Sequence, residues 1–221
     1  METEIEKALK EYEKVLRETF RDKEAFRVVE IKGNPVVLVG FRHMTGTVFK
    51  KYRNKATRVV RAAQKLVKAL KDAGFHIALE GPTGHYLIPR TYLFRGILKD
   101  LNDLSEEERT IAEADIPTSE LPVLWWRETY GAYNALGVMA KEIHTIPYHR
   151  REGLPSNINP RYVWALRKLA EKGPVALFIG IKHIDDLHKR LTSGDIGEPT
   201  EIHKLRWEPK KLRWRLVEKI M

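Results

Sequence analysis

Two histidines in this sequence follow short apolar runs in closely matching contexts. Val37-Leu-Val-Gly40-Phe-Arg-His43 and Leu177-Phe-Ile-Gly180-Ile-Lys-His183 each read as a buried strand followed by Gly, an apolar residue, a basic residue and His. Glycine lets a chain turn sharply where a strand ends, so each imidazole is expected just beyond its strand. Glu80 closes a third apolar run, Ile77-Ala-Leu79, in a similar way. Imidazole and carboxylate groups bind divalent metals or act as general bases.

The three side chains are expected to share one crevice if their strands run parallel. Open α/β sheets bind ligands at the carboxyl ends of their parallel strands. With a divalent metal, His43 and His183 would be ligands, and Glu80 would be a third ligand or the base that deprotonates water. Without a metal, a His–Glu pair would serve as the general base. The simpler alternative is a pair of ordinary loop histidines, because Gly-x-x-His has only two fixed residues.

Charged residues flank these candidates. Arg42 and Lys182 precede the two histidines, and Asp185 and Asp186 follow the second one. One of these acids would accept a hydrogen bond from the His183 imidazole, as metal-bound histidines usually require. The alternative is that both acids favour the start of a helix. Three further histidines, His144, His149 and His203, lack partners at ligand spacing and are predicted to lie on the surface.

The pattern resembles that of the superfamily containing the TraB/pheromone-shutdown proteins, the Tiki metalloproteases, the ChaN-like haem-uptake proteins and the erythromycin-esterase-like hydrolases. The matching motifs lie within residues 36–82 and 174–187, as Gly40-Phe-Arg-His43, Leu79-Glu80 and Gly180-Ile-Lys-His183. The resemblance implies an α/β fold with a shared crevice, and it leaves the substrate open because the superfamily is functionally mixed. An Arg or Tyr that members place in mid-domain has several candidates here, namely Arg90, Arg95, Arg127 and Tyr130.

Alternating strand and helix patterns must position these residues. They predict an α/β class with a mainly parallel sheet flanked by helices, an N-terminal helix and a C-terminal basic β-hairpin. Asn159-Pro160 is typical of a helix start, with Asn as N-cap and Pro at the first helical position. We expect one domain over residues 1–221, comprising an N-terminal helix and edge strand (1–34), a core (35–190) and a hairpin appendage (200–221).

The C-terminal segment offers a different function. Basic and aromatic residues alternate there, as Arg206, Trp207, Arg213, Trp214 and Arg215. Basic strands with aromatic side chains bind nucleic acids by phosphate neutralisation and base stacking. The alternative, which the alternation favours, is a hairpin that packs its Trp face on the domain and leaves Arg outside.

Composition limits the remaining possibilities. The 221 residues include 40 Lys and Arg against 30 Asp and Glu, for a net charge of +10 and a high charge density typical of thermophiles. The lack of cysteine excludes disulfides, cysteine zinc sites and a cysteine nucleophile. No apolar stretch is long enough to cross a membrane, and the acidic first residues predict no secretory signal. We therefore expect a cytoplasmic hydrolase of unknown substrate, or a nucleic-acid-binding protein of a mobile element that uses the hairpin.

Overall fold

The chain forms one mixed sheet with helices on both faces in the computed structural model. Four α-helices and seven strands lie in the described residues, so the predicted α/β class is confirmed. The structure describes residues 3–20, 25–41, 46–80, 136–137, 139–146, 155–208 and 213–221. The elements in chain order are α1 (Glu4–Phe20), β1 (Phe26–Ile31), β2 (Asn34–Phe41), α2 (Gly46–Asp72), β3 (His76–Leu79), β4 (Glu142–Thr145), α3 (Pro155–Ala170), β5 (Val175–Gly180), a 3₁₀ turn (Ile181–His183), α4 (Ile184–Thr192), β6 (Ile202–Glu208) and β7 (Arg213–Ile220).

The sheet is parallel at its centre and antiparallel at both sides. Its order is β1-β2-β5-β3-β4-β6-β7. Strands β2, β5, β3 and β4 run parallel, whereas β1, β6 and β7 pair antiparallel with their neighbours. The prediction of a mainly parallel sheet is not confirmed, because antiparallel pairings contribute the larger share of the paired residues. The predicted C-terminal hairpin is present and supplies the last two strands of the sheet.

Two crossovers in opposite directions cover the two faces of the sheet. The first runs from β2 through α2 to β3, and the second returns from β4 through α3 to β5. Because such crossovers are right-handed, opposite directions place their helices on opposite faces. Helices α1 and α2 accordingly pack with Val37 and Phe178, whereas α3 and α4 pack with Leu38 and Leu177. Burial on both faces explains why the central strands are uninterrupted apolar runs.

The register of the parallel strands brings three strand ends to one edge. Phe41 of β2 lies opposite Gly180 of β5, and Leu79 of β3 lies opposite Phe178. The Glu80 N–H extends the second ladder by donating to the Phe178 carbonyl at 2.9 Å. Strand β2 leads to α2 on one face, while β5 leads to α4 on the other. This edge is therefore a topological switch point, where α/β sheets bind ligands.

Gly40 allows the helical segment after β5 to approach β2 closely. A Cβ at this position would lie 2.9 Å from Cγ1 of Ile181 and 3.2 Å from the Ala25 carbonyl oxygen. The Gly40 N–H donates to that same carbonyl at 2.7 Å, and its own carbonyl accepts from the buried Tyr12 hydroxyl at 2.7 Å. The backbone is thus held on both sides, and no room remains for a side chain.

We expect Gly40→Ala to destabilise the fold by about 1–3 kcal/mol, because the added methyl group overpacks the contact with Ile181. Urea unfolding at neutral pH measures the change. Lys182→Ala, an exposed substitution in the same region, is the control and should stay within about 0.5 kcal/mol of wild type. Equal stability of Gly40→Ala and the control would show that this contact tolerates a side chain.

Candidate functional site

Glu80 and His183 meet at the switch-point edge of the sheet. Their nearest atoms, Oε1 of Glu80 and Nε2 of His183, are 4.0 Å apart. Both side chains are buried, with 5% and 7% of their surfaces exposed. The structure thus brings two of the three predicted side chains together. The third, His43, lies outside the described residues, as does its neighbour Arg42.

The backbone of β5 fixes the orientation of the Glu80 carboxylate. Its Oε2 accepts a hydrogen bond from the Gly180 N–H at 2.7 Å. Gly180 immediately precedes the 3₁₀ turn, so the carboxylate lies at the start of a helical segment, where acidic groups are favoured. One oxygen is occupied in this way, and the other oxygen, Oε1, is directed at the imidazole.

Asn159 on α3 determines which nitrogen of His183 carries the proton. Its Oδ1 lies 2.6 Å from Nδ1 of His183, and its Nδ2 donates to Oδ2 of Asp186 at 2.7 Å. An ionised carboxylate only accepts, so the amide nitrogen must face Asp186 and the amide oxygen must face the imidazole. Nδ1 of His183 therefore carries a proton, and Nε2 is the nitrogen that faces Glu80.

Arg190 keeps Asp186 in the ionised form that this assignment needs. Its Nε donates to Oδ2 of Asp186 at 2.8 Å, and its Nη1 donates to Asp195 at 2.9 Å. Burial raises the pKa of the Asp186 carboxyl, but hydrogen bonds from Asn159 and Arg190 outweigh it, so this pKa lies below its ordinary value. A chain of hydrogen bonds thus links the imidazole to the surface of α4.

The two acids after His183 have separate roles. Asp186 acts on the imidazole through Asn159, which the sequence analysis did not foresee. Asp185 is exposed and pairs with Arg27 of β1 at 3.0 Å. Lys182, the basic residue that precedes His183, is exposed at the same edge.

The predicted helix start at Asn159 is wrong. Helix α3 begins at Pro155, so Pro160 lies inside it. The Asn159 side chain is fully buried and bonds to groups on other elements, which removes it from any capping role. Its function is a tertiary contact that local sequence rules do not report, because they weigh Asn only against its chain neighbours.

The prediction that His144, His149 and His203 lie on the surface is wrong for two of them. His203 of β6 is buried and bonds to Glu201 through Nε2. His144 of β4 is 5% exposed and lies edge-on to His76, with ring centroids 5.5 Å apart. The apolar neighbours of His144, Ile143 and Ile146, were the signal that this segment is a buried strand. The other member of the group, His149, lies outside the described residues.

His144 borders a small, mostly apolar cavity between the sheet and α3. The cavity measures about 10 Å³, close to the minimum for one water molecule, and Thr145 and Tyr162 also line it. Within the described part of the chain, Nδ1 of His144 and Oγ1 of Thr145 have no hydrogen-bond partner. Burial lowers the pKa of His144 to about 4, and the nearby His76 and Lys204 add to this shift. The imidazole is therefore neutral at pH 7.

The C-terminal hairpin buries its tryptophans. Trp207 and Trp214 pack edge to face with centroids 5.3 Å apart and belong to the core beneath α1 and α2. Arg206 pairs with Glu142 at 2.9 Å, and Arg215 pairs with Glu208 at 3.2 Å. This arrangement favours the packing interpretation, since neither ring has a free face for base stacking. Arg213 begins β7, and its side chain lies outside the described part of the structure.

Comparisons of this chain with protein-family models, with curated proteins and with solved structures find no match. The superfamily resemblance therefore stays a prediction. No described helix is both long and apolar enough to cross a membrane. The described residues also contain no group of three potential metal ligands, and Glu80 and His183 supply two.

The tautomer of His183 is directly measurable. Long-range ¹H–¹⁵N correlation spectra of the neutral ring should show a protonated Nδ1 and an unprotonated Nε2, because Asn159 accepts from Nδ1. Asn159→Leu removes the acceptor and should shift the population towards the Nε2–H form. A protonated Nε2 in the wild-type neutral ring would contradict the assigned hydrogen-bond chain.

His144 should make stability depend on pH. Its pKa falls from 6.5 to about 4 on folding, so the unfolded chain binds the proton more tightly and stability is lost as pH falls through this window. Linkage predicts a loss of about 2 kcal/mol between about pH 7 and 5, in excess of other groups. His144→Leu should flatten the pH dependence measured by urea unfolding, whereas His188→Gln should not. Identical pH dependence in wild type and His144→Leu would contradict the prediction.

Proposed function

We propose that the Glu80–His183 pair is the water-activating centre of a hydrolase. The proposal is carried by one observation: Nε2 of His183 faces Oε1 of Glu80 across 4.0 Å, while Nδ1 of the same ring bonds to Asn159. The distance is too long for a direct hydrogen bond, but a water about 2.8 Å from each atom would bridge it. Such a water would donate one proton to Nε2 and the other to Oε1.

The orientation of the imidazole suits proton transfer. A catalytic histidine commonly has one nitrogen held by a fixed acceptor, which selects the tautomer, while the other takes the proton from the nucleophile. Here Asn159 is that acceptor. The hydrogen bonds from Asn159 and Arg190 to Asp186 keep the amide from reversing its orientation.

A divalent metal remains part of the proposal as an alternative activator. His183 and Glu80 would be two ligands, and His43, two residues beyond the end of β2, would be the third. Two atoms bound to one tetrahedral ion lie about 3.4 Å apart, so the observed gap would have to close by about half an ångström. When bound, the metal would lower the pKa of its water. The superfamily resemblance supports the same three residues.

The substrate remains open within the hydrolase class. A cytoplasmic location fits the absence of cysteine, because reducing compartments do not use disulfides. Because the bond that is hydrolysed is not identified, the assay should cover several bond types: aryl esters, aryl phosphates and an aryl phosphodiester, each with and without Zn²⁺ or Mn²⁺.

The test compares Glu80→Gln and His183→Gln with His188→Gln, a histidine five residues further on in α4. Loss of the general base should lower turnover at least about 100-fold in the first two variants. The control should match wild type. Melting curves for every variant separate lost chemistry from lost folding.

Two results would overturn the proposal. One is the absence of turnover above background for every bond type, with and without metal. The other is turnover that survives in a folded Glu80→Gln or His183→Gln variant. Metal analysis of protein purified without a His-tag then distinguishes the two activators. Stoichiometric metal that is lost in both variants supports the metal form, whereas activity that persists in chelator supports the His–Glu form.

A further inference from the structure

The positive charge of this protein is concentrated on helix α2. The helix carries nine Lys and Arg residues against one acid, Asp72, so it contributes eight of the ten net positive charges of the chain. No acidic residue occurs between Glu30 and Asp72. The rest of the chain is therefore close to neutral, which the overall composition conceals.

The apolar face of α2 is fully occupied by the core. Val59, Leu66 and Leu70 are completely buried against α1 and the sheet. The basic side chains described on the other face reach into solvent, with Arg58 59% and Lys65 66% exposed. No large apolar side chain is exposed in the described part of the helix. Over residues 58–72, the surface thus offers charge without the free apolar face that a membrane-bound helix inserts.

Helix α1 provides acidic partners for two of the described basic residues of α2. Glu18 pairs with Arg58 at 3.1 Å and Glu11 pairs with Lys65 at 2.8 Å. Both pairs are solvent-exposed, and exposed ion pairs contribute at most about 1 kcal/mol. Phosphates can therefore replace these glutamates at little cost, while Lys68 bonds only within its own helix, to Asp72 at 2.7 Å.

We propose that α2 is a nucleic-acid-binding surface that contacts the phosphate backbone without reading sequence. A helix of 27 residues is about 40 Å long, which spans roughly one turn of duplex DNA. A basic run without interspersed acids suits a polymer of uniform negative charge better than a folded protein of mixed charge. The surface is distinct from the C-terminal hairpin, whose tryptophans are buried and cannot stack on bases.

The test compares two triple substitutions that remove equal charge. Lys65→Gln, Lys68→Gln and Lys71→Gln remove three positive charges from α2, whereas Arg206→Gln, Arg215→Gln and Lys219→Gln remove three from the hairpin. Fluorescence anisotropy measures binding of each protein to a labelled duplex of about 20 base pairs, from about 50 to 200 mM salt. The α2 variant should lose about 100-fold in affinity at about 100 mM salt, with a salt slope smaller by about 2–3. The hairpin variant should bind within about threefold of wild type.

Several outcomes would overturn the proposal. They are no duplex binding by wild type at the lowest salt, an equal or larger loss in the hairpin variant, and tighter binding to polyglutamate or phosphatidylserine vesicles than to the duplex. Melting curves for both triple variants confirm that the fold is intact. Duplex affinity tests this proposal and turnover tests the hydrolase proposal, so failure of one is distinguishable from failure of the other.

Discussion

The position of β5 between β2 and β3 is the constraint on which the rest of the structure depends. Every residue of this strand is buried, and it pairs on both sides in parallel register. Because the chain reaches β3 before it returns to β5, its crossovers cover opposite faces. Strand β5 also carries the segment after Gly180 across the edge at which Glu80 follows β3. The meeting of Glu80 with His183 is thus a consequence of strand order.

A buried polar chain is costly unless every member has a partner. Glu80 accepts from the Gly180 N–H, and direct hydrogen bonds join His183 to Asn159 and Asn159 to Asp186. Between the Glu80 carboxylate and the His183 imidazole the distance is 4.0 Å, which is longer than a direct hydrogen bond.

Much of the fold and part of the site could be predicted from the sequence. Apolar runs ending in Gly or Glu located the central strands, and parallel pairing then placed Glu80 beside His183. The role of Asn159 could not be predicted, because its partners lie 24 and 27 residues away and its local context suggests a cap. The burial of His144 was not predicted, because the spacing of potential metal ligands along the sequence carries no information about burial. The positive charge of α2 is not obvious in the sequence, because its basic residues are interspersed with the apolar residues that the helix buries in the core.

The proposed hydrolytic pair and the proposed nucleic-acid-binding helix α2 are close along the chain. Strand β2 ends at Phe41 and α2 begins at Gly46, so the basic helix starts only three residues after His43. The carboxyl end of β2 is also the edge at which Glu80 and His183 meet. A phosphate polymer along the first turns of α2 would therefore begin near that edge. This proximity makes phosphodiesters the first bond type to examine, because binding along α2 would raise the local concentration of such a substrate at the pair.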